Sequence, residues 1–339
     1  MPKRLLIIYT GGTIGMKQTA HGLAPAPDLA AEITQLIEMG PSFQKNPPVL
    51  QTLSYEPLID SSDMTPAVWL QIATDIEQHY DNYDGFVVLH GTDTLAYTSS
   101  ALCYFIRRQG KPVVLTGAQL PFGFPRSDAR SNLISAIEVA AAMPASMAQV
   151  CVVFGSKIMR GNRVTKVSAN AYDAFDSPRC PPLGSIGIDI HFQGARRTLH
   201  EQSDPLPALA LPPDNAVVLL RLYPGISAQL LRAVCAGTVT RAVVLEAYGS
   251  GNAPSRCPDF LNEVKSVVAR GIVVLVVSQP LDGVVSFGRY AAGSSLAGAG
   301  AISGRDLTTE AAVTKLYYLL ASGCASSEIA SKLRHHVSA

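Results

Sequence analysis

Leu5-Leu6-Ile7-Ile8-Tyr9-Thr10-Gly11-Gly12-Thr13-Ile14-Gly15 opens the chain's readable structure. An apolar run of this length, cut off by glycines, describes a strand buried on both faces, the pattern of a parallel sheet covered by helices. The run Gly85 to Leu89 repeats it and opens into His90-Gly91-Thr92-Asp93-Thr94. Ligands of open α/β sheets sit outside the carboxyl ends of the strands, which is where both loops fall. The first loop is not a phosphate cradle, since it has neither G-x-x-x-x-G-K-[ST] nor G-x-G-x-x-G spacing. Its glycines supply positive φ and room for close approach, so Thr13 is presented rather than buried. Two hydroxyl-rich strand-end loops suggest a hydrolase built on threonine.

Outward from these loops, strand and helix signals alternate, which implies a mostly parallel sheet with helices on both faces. Asp28 can cap a helix with Leu29, Ile33, Leu36 and Ile37 on one face, stopped by Gly40. Thr65-Pro66 is a cap followed by proline at the first helical position, leading into Trp69, Ile72, Ala73 and Ile76. Further strands are expected at 112–115 and 150–154, with a helix at 127–142 between them. Between Gly194 and Pro213 the pattern dissolves into charges and four prolines, as in an interdomain linker. Strands at 217–222, 242–245 and 272–277 then alternate with helices starting near Ser227, Pro258 and Thr308. The expected fold is therefore α/β in two domains. A larger, doubly wound N-terminal domain covers 1–193, a linker 194–213, and a smaller α/β domain 214–339.

With 339 residues, 47% hydrophobic and 16% charged, the chain is long enough for two substantial cores. A net charge of +1 provides no electrostatic footprint for nucleic acid or an anionic membrane. No segment approaches the roughly 20 apolar residues of a membrane span, and the apolar run after Arg4 is too short for a secretory signal. A cytoplasmic location is expected. The six cysteines, at 103, 151, 180, 235, 257 and 324, show no C-x-x-C pair and no histidine at metal spacing. Neither metal nor cofactor is expected. His90 abuts the second loop, but a histidine ending a buried strand reads first as packed and hydrogen-bonded.

Several motifs carry a resemblance to a known family: Y-T-G-G-T-I-G-M at Tyr9 to Met16, D-S-S-D-M-T at Asp60 to Thr65, L-H-G-T-D-T at Leu89 to Thr94 and R-G-N-R-V-T-K at Arg160 to Lys166. F-D-S-P from Phe175, Y-P-G-I-S from Tyr223, Y-G-S-G-N-A-P from Tyr248 and E-A-A-V-T-K-L from Glu310 continue in the same order. The chain resembles the bacterial asparaginases, specifically their cytoplasmic type I branch, over nearly its whole length.

That chemistry makes physical sense for these residue types. Amide hydrolysis needs a nucleophile, a proton acceptor and a way to present water. A threonine hydroxyl is a weak nucleophile unless a neighbour takes its proton. A lysine withdrawn from water beside an aspartate can complete such a relay. The resemblance implies that Thr13 is the nucleophile, forming a β-aspartyl ester and releasing ammonia, and that Thr92, Asp93 and Lys166 form a second triad assisting proton transfer and the resolving water. It implies substrate binding by Asp60, Ser61 and Ser62, whose hydroxyl and amide groups hold the α-carboxylate, and by Asp93 at the α-ammonium group. It also implies that Asn252 reaches a neighbouring subunit's site, so that the protein is a homodimer or homotetramer.

Two departures from the family pattern bear on these expectations. Many relatives carry a tyrosine in the loop after the nucleophile, where this chain has His21-Gly22-Leu23. Tyr290, in the Y-A-A-G stretch that resembles a catalytic tyrosine of some relatives, is the expected substitute as a catalytic hydroxyl. Some type I enzymes bind asparagine at a regulatory site through an arginine and a cysteine, and Glu246 and Pro280 stand in those places here. The substrate is expected to be L-asparagine. The alternatives are a glutaminase-asparaginase of mixed specificity and a non-catalytic amino-acid-binding relative. The tRNA amidotransferase subunit of the same fold carries extra sequence before its T-G-G-T-I loop.

Overall fold

The computed structural model describes residues 2–19, 22–25, 47–108, 110–193, 209–254, 258–288 and 291–335. The expected helix after Asp28, His21, Tyr290 and the 194–208 part of the expected linker lie outside the described residues. The chain divides into two compact units, Met1–Asp204 and Pro205–Ala339.

In the first unit the strands are β1 (Arg4–Tyr9), β2 (Met16–Thr19), β3 (Gly22–Pro25), β4 (Val49–Ser54), β5 (Gly85–Leu89), β6 (Val113–Thr116), β7 (Val150–Phe154), β8 (Lys157–Arg160), β9 (Thr165–Lys166), β10 (Phe175–Asp176), β11 (Gly184–Ile186) and β12 (Ile190–Phe192). Eight of them form one sheet in the order β12-β11-β8-β7-β6-β5-β1-β4. From β4 to β7 the pairing is parallel; β8, β11 and β12 extend the sheet antiparallel. β1 lies between β4 and β5, with Tyr9 opposite both Ser54 and Leu89. Those three strands therefore end level.

The unbroken apolar runs of β1 and β5 follow from burial on both faces: Leu5, Ile7, Ile8, Val87, Val88 and Leu89 are all fully inaccessible. Each such side chain stabilises the sheet by about 1.5–3 kcal/mol relative to exposure. β4 escapes the same reading because it is an edge strand with Gln51 and Thr52 among its residues, and much of it is accessible. Thr65 caps the helix Pro66–His79, its hydroxyl accepting from the amide of Val68 at 3.4 Å, and Trp69, Ile72, Ala73 and Ile76 form its buried face. The helix Leu95–Phe105 carries no amphipathic signal because it is buried nearly all round, Thr98, Ser99 and Ser100 included. Ser99 and Ser100 satisfy their hydroxyls on the carbonyl of Gly161, at 2.8 and 3.2 Å, so small polar residues let this helix approach the backbone after β8.

The second unit is a four-stranded parallel sheet in the order β13 (Val217–Arg221), β14 (Ala242–Ala247), β15 (Val273–Ser278), β16 (Ile302–Ser303). Phe260, Val264 and Val267 of the helix Pro258–Ala269 share its core with Val243, Leu245, Val274 and Val276. Thr308 caps the helix Thr309–Ala321 through its hydroxyl, which accepts from the amide of Ala311 at 3.1 Å. Among the described residues no helix is long and apolar enough to cross a membrane.

Candidate active site

Four neighbouring parallel strands, β4, β1, β5 and β6, deliver four loops to one edge of the large sheet. The loops are locked together by backbone. Thr10 donates both its amide and its hydroxyl to the carbonyl of Leu89, at 3.1 and 2.9 Å. The amide of Ile59 donates to the carbonyl of Thr10 at 2.8 Å, drawing in the segment 59–62. Gly11 and Gly12 have φ of 134° and 94°, and a Cβ on them would strike the backbone of Ile59 and Gly91 respectively. Only glycine allows both the conformation and the approach. Immediately after them a short 3₁₀ turn, Thr13–Gly15, buries Ile14 and leaves Thr13 half-buried. β2 and β3 follow as an antiparallel hairpin in which Leu23 pairs with Gln18.

Thr92 and Asp93 precede the helix Leu95–Phe105, one buried and one exposed. Lys166 reaches both. Its Nζ donates to Thr92 Oγ1 at 2.8 Å and to Asp93 Oδ1 at 2.7 Å. Lys166 is held on β9, which pairs with β10 so that Lys166 faces Phe175 in register. Phe175 is itself anchored in the core, 4.9 Å between ring centroids from Phe154. The Asp93 side chain is 66% exposed. An ion pair this open contributes about 0–1 kcal/mol to folding, so stability alone does not explain its geometry.

His90 is fully buried with both ring nitrogens engaged, Nδ1 on the carbonyl of Gly91 at 2.7 Å and Nε2 on Thr98 Oγ1 at 2.8 Å. A carbonyl only accepts, so Nδ1 carries the proton and the Thr98 hydroxyl donates to Nε2. Burial pushes the pKa of His90 down to about 4, against a smaller opposing effect of the bond to Gly91. It is a neutral packing residue, the reading expected from its place at the end of a buried strand.

Asp60, Ser61 and Ser62 lie on the loop after β4. Asp60 Oδ1 accepts from both the amide and the hydroxyl of Ser62, each at 2.9 Å, fixing a short turn. Ser61 is buried against Gly91, where a Cβ would meet its side chain, and its carbonyl accepts from Thr94 Oγ1 at 2.6 Å. The segment is thus tied directly to the Thr92 loop.

The loop after β6 contributes a residue that the reading of the sequence passed over. Gln119 Oε1 accepts from Thr92 Oγ1 at 3.3 Å. It stands three residues beyond β6, and the strand-end rule that picked out the other loops would have picked out Gly117-Ala118-Gln119 as well.

Asn252 belongs to the second unit. It closes a tight turn with Tyr248 through two backbone bonds, at 3.0 and 2.8 Å. Its Oδ1, the Tyr248 hydroxyl and Ser250 Oγ are inaccessible and unpartnered among the described residues. Among those residues no group of three or more His, Cys, Asp or Glu could hold a metal, and Cys151, Cys180, Cys235 and Cys324 are free thiols.

Residues 4–198 match the family model "Asparaginase, N-terminal" and residues 216–332 match "Glutaminase/Asparaginase C-terminal domain". L-asparaginase 1 of Escherichia coli K12 is 43% identical over 319 residues, 94% of this chain and 92% of that protein. The crystal structure of L-asparaginase I from Vibrio cholerae superposes with a TM-score of 0.87 at 40% identity, covering 99% of this chain and 98% of the other. A structure named as a probable cytoplasmic L-asparaginase, from Campylobacter jejuni, covers 98% of this chain and 99% of its own with a TM-score of 0.79 at 26% identity.

Proposed function

The chain belongs to the asparaginase family, and on that premise we propose how its residues carry out the hydrolysis of L-asparagine to aspartate and ammonia. The reaction runs as acyl transfer in two halves. Thr13 Oγ attacks the side-chain amide carbon, the C–N bond breaks, and the threonine proton leaves with ammonia. Water then attacks the resulting ester and restores the Thr13 hydroxyl as aspartate departs. The observation that carries this reading is Lys166 Nζ standing between Thr92 Oγ1 and Asp93 Oδ1, on the strand end next to the Thr13 loop. Such a chain of donors and acceptors can take the proton from an attacking hydroxyl or water and return it to a leaving group.

Ser61 binds the α-carboxylate through its hydroxyl and amide, while Asp60 occupies both donors of Ser62 and so holds the turn in place instead of meeting a like charge itself. The exposed carboxylate of Asp93 binds the α-ammonium group. Asn252 completes the site of a second subunit, held for that role by the tight turn it closes with Tyr248. A homo-oligomer acting in the cytoplasm is the matching biological form.

Purified protein should release ammonia from millimolar asparagine with no added nucleotide or tRNA, and equally in the presence of a chelator. Absence of turnover would remove the reading. Comparison of kcat/KM for asparagine and glutamine sets the preference, because one methylene is worth about 1–3 kcal/mol of discrimination.

Glu246 bears on regulation. It sits near the end of β14, largely buried, accepting from Thr309 Oγ1 at 2.5 Å and pairing with Arg221 at 3.3 Å. A carboxylate committed in this way offers an effector's carboxylate like charge instead of a cation. Initial rate against asparagine concentration is expected to be hyperbolic, and a Hill coefficient clearly above one would contradict that.

A further inference from the structure

We propose that Gln119 is a positioning residue that fixes which way the Thr92 hydroxyl points and thereby makes Thr92 an acceptor toward the substrate. The proposal rests on the assignment of Thr92 to proton transfer. Thr92 Oγ1 has one proton and two lone pairs. Lys166 Nζ, an ammonium donating at 2.8 Å, occupies one lone pair. Gln119 Oε1 lies 3.3 Å away on another side.

The orientation of the Gln119 amide is dictated by its surroundings. Its Nε2 donates to the carbonyl of Ala171 at 3.1 Å; a carbonyl cannot donate, so the amide oxygen must face Thr92. An amide oxygen only accepts, so the Thr92 proton points at Gln119. One lone pair of Thr92 is left, and it can meet only a donor. A water molecule about to attack an ester is such a donor, and its proton is the one that has to be removed.

The placement of Gln119 is built rather than incidental. Its backbone amide donates to both oxygens of the Asp128 carboxylate, each at 3.0 Å, and the amide of Leu120 adds a third bond at 3.0 Å. Asp128 is buried and also accepts from Asn132 Nδ2 at 3.1 Å. Asn132 in turn donates to the carbonyl of Gly117 at 3.0 Å and accepts from the amide of Gly155 at 3.1 Å. A buried carboxylate satisfied by three donors through four hydrogen bonds is a rigid anchor, and with Asn132 it clamps the loop after β6 on both sides of Ala118. The side chain of Gln119 then spans from the Thr92 loop to Ala171, in the segment that joins β9, the strand of Lys166, to β10. At 3.3 Å the bond to Thr92 is longer than the usual O–H···O, so it yields in the relay: as Thr92 takes the water proton it turns its own proton to Lys166, which passes one of its protons to Asp93, the carboxylate it already touches.

The test compares Gln119→Leu with Gln119→Glu in steady-state kinetics with asparagine. Leucine removes the acceptor for Thr92 and the donor for Ala171; glutamate removes only the donor. With one neutral hydrogen bond at stake, kcat of the leucine variant is expected to fall roughly five- to tenfold with KM near wild type, and the glutamate variant to recover most of that loss. Equal losses in both would assign Gln119 to anchoring the 171 segment and overturn the proposal, as would wild-type kcat in the leucine variant. If the leucine variant does not fold, Gln119→Met provides a side chain of nearly the same length without a strong acceptor. In a Thr92→Val background, Gln119→Leu is expected to add nothing further. A Thr92→Val enzyme with wild-type kcat would remove the assignment of Thr92 itself, whereas an inactive one beside a normal Gln119→Leu would sink only the role of Gln119.

Discussion

Thr13→Val is expected to lower kcat by roughly a thousandfold or more, as for other catalytic residues that act as one unit, which corresponds to at least about 4 kcal/mol of barrier. Valine keeps the shape of threonine and loses only the hydroxyl. Thr13 is half-buried at the start of a short turn whose packing is carried by Ile14, and the approach of its loop to Gly91 and Ile59 depends on Gly12 and Gly11. None of that involves the Thr13 hydroxyl, so the thermal unfolding midpoint should stay close to that of wild type. Retention of a tenth of the wild-type rate would place the nucleophile elsewhere.

Lys166→Met should lower kcat by roughly 10²- to 10⁴-fold, the range of a lost acid–base group. The substitution leaves Thr92 and Asp93 without the nitrogen that joins them. Because the Asp93 end of the pair is open to water, the fold should lose only about 0–1 kcal/mol. Lys166→Arg separates charge from proton transfer. An arginine could still pair with Asp93, but its guanidinium stays protonated in proteins and cannot accept a proton. The arginine variant should therefore be nearly as slow as the methionine one. Arginine at wild-type rate would reduce Lys166 to a fixed counter-charge.

β1, β5 and β7 were legible because a strand buried on both faces must be written in apolar residues, and that run is short, dense and bounded by turn residues. The helix Pro66–His79 was legible for a different reason, since Thr65-Pro66 is a start signal and Trp69, Ile72, Ala73 and Ile76 keep helical spacing. β4 and the helix Leu95–Phe105 were not. One lies at the sheet edge and needs no apolar run; the other is buried nearly all round and shows no contrast between faces. In the site, the Thr13 and Thr92 loops announced themselves by glycines and hydroxyls after apolar runs. Lys166 had no such signal in its own neighbourhood, where a lone lysine reads as a solvated charge, and its place came from resemblance.

Sequence by itself determined the class of fold, the two strand ends that carry Thr13 and Thr92 and the family to which the motifs point, because burial pattern and turn chemistry are local properties of the chain. Tertiary structure alone decided which distant residues meet. Lys166 lies 74 positions from Thr92 and Gln119 lies 27, and no periodicity encodes such separations. They converge because β5 and β6 are adjacent and parallel and because the β9–β10 pair is pinned through Phe175. The packing role of His90 was settled in the same way: only the fold shows that both its nitrogens are occupied inside the core, so that the proposed proton relay runs through the lysine from another strand and not through the histidine beside the Thr92 loop.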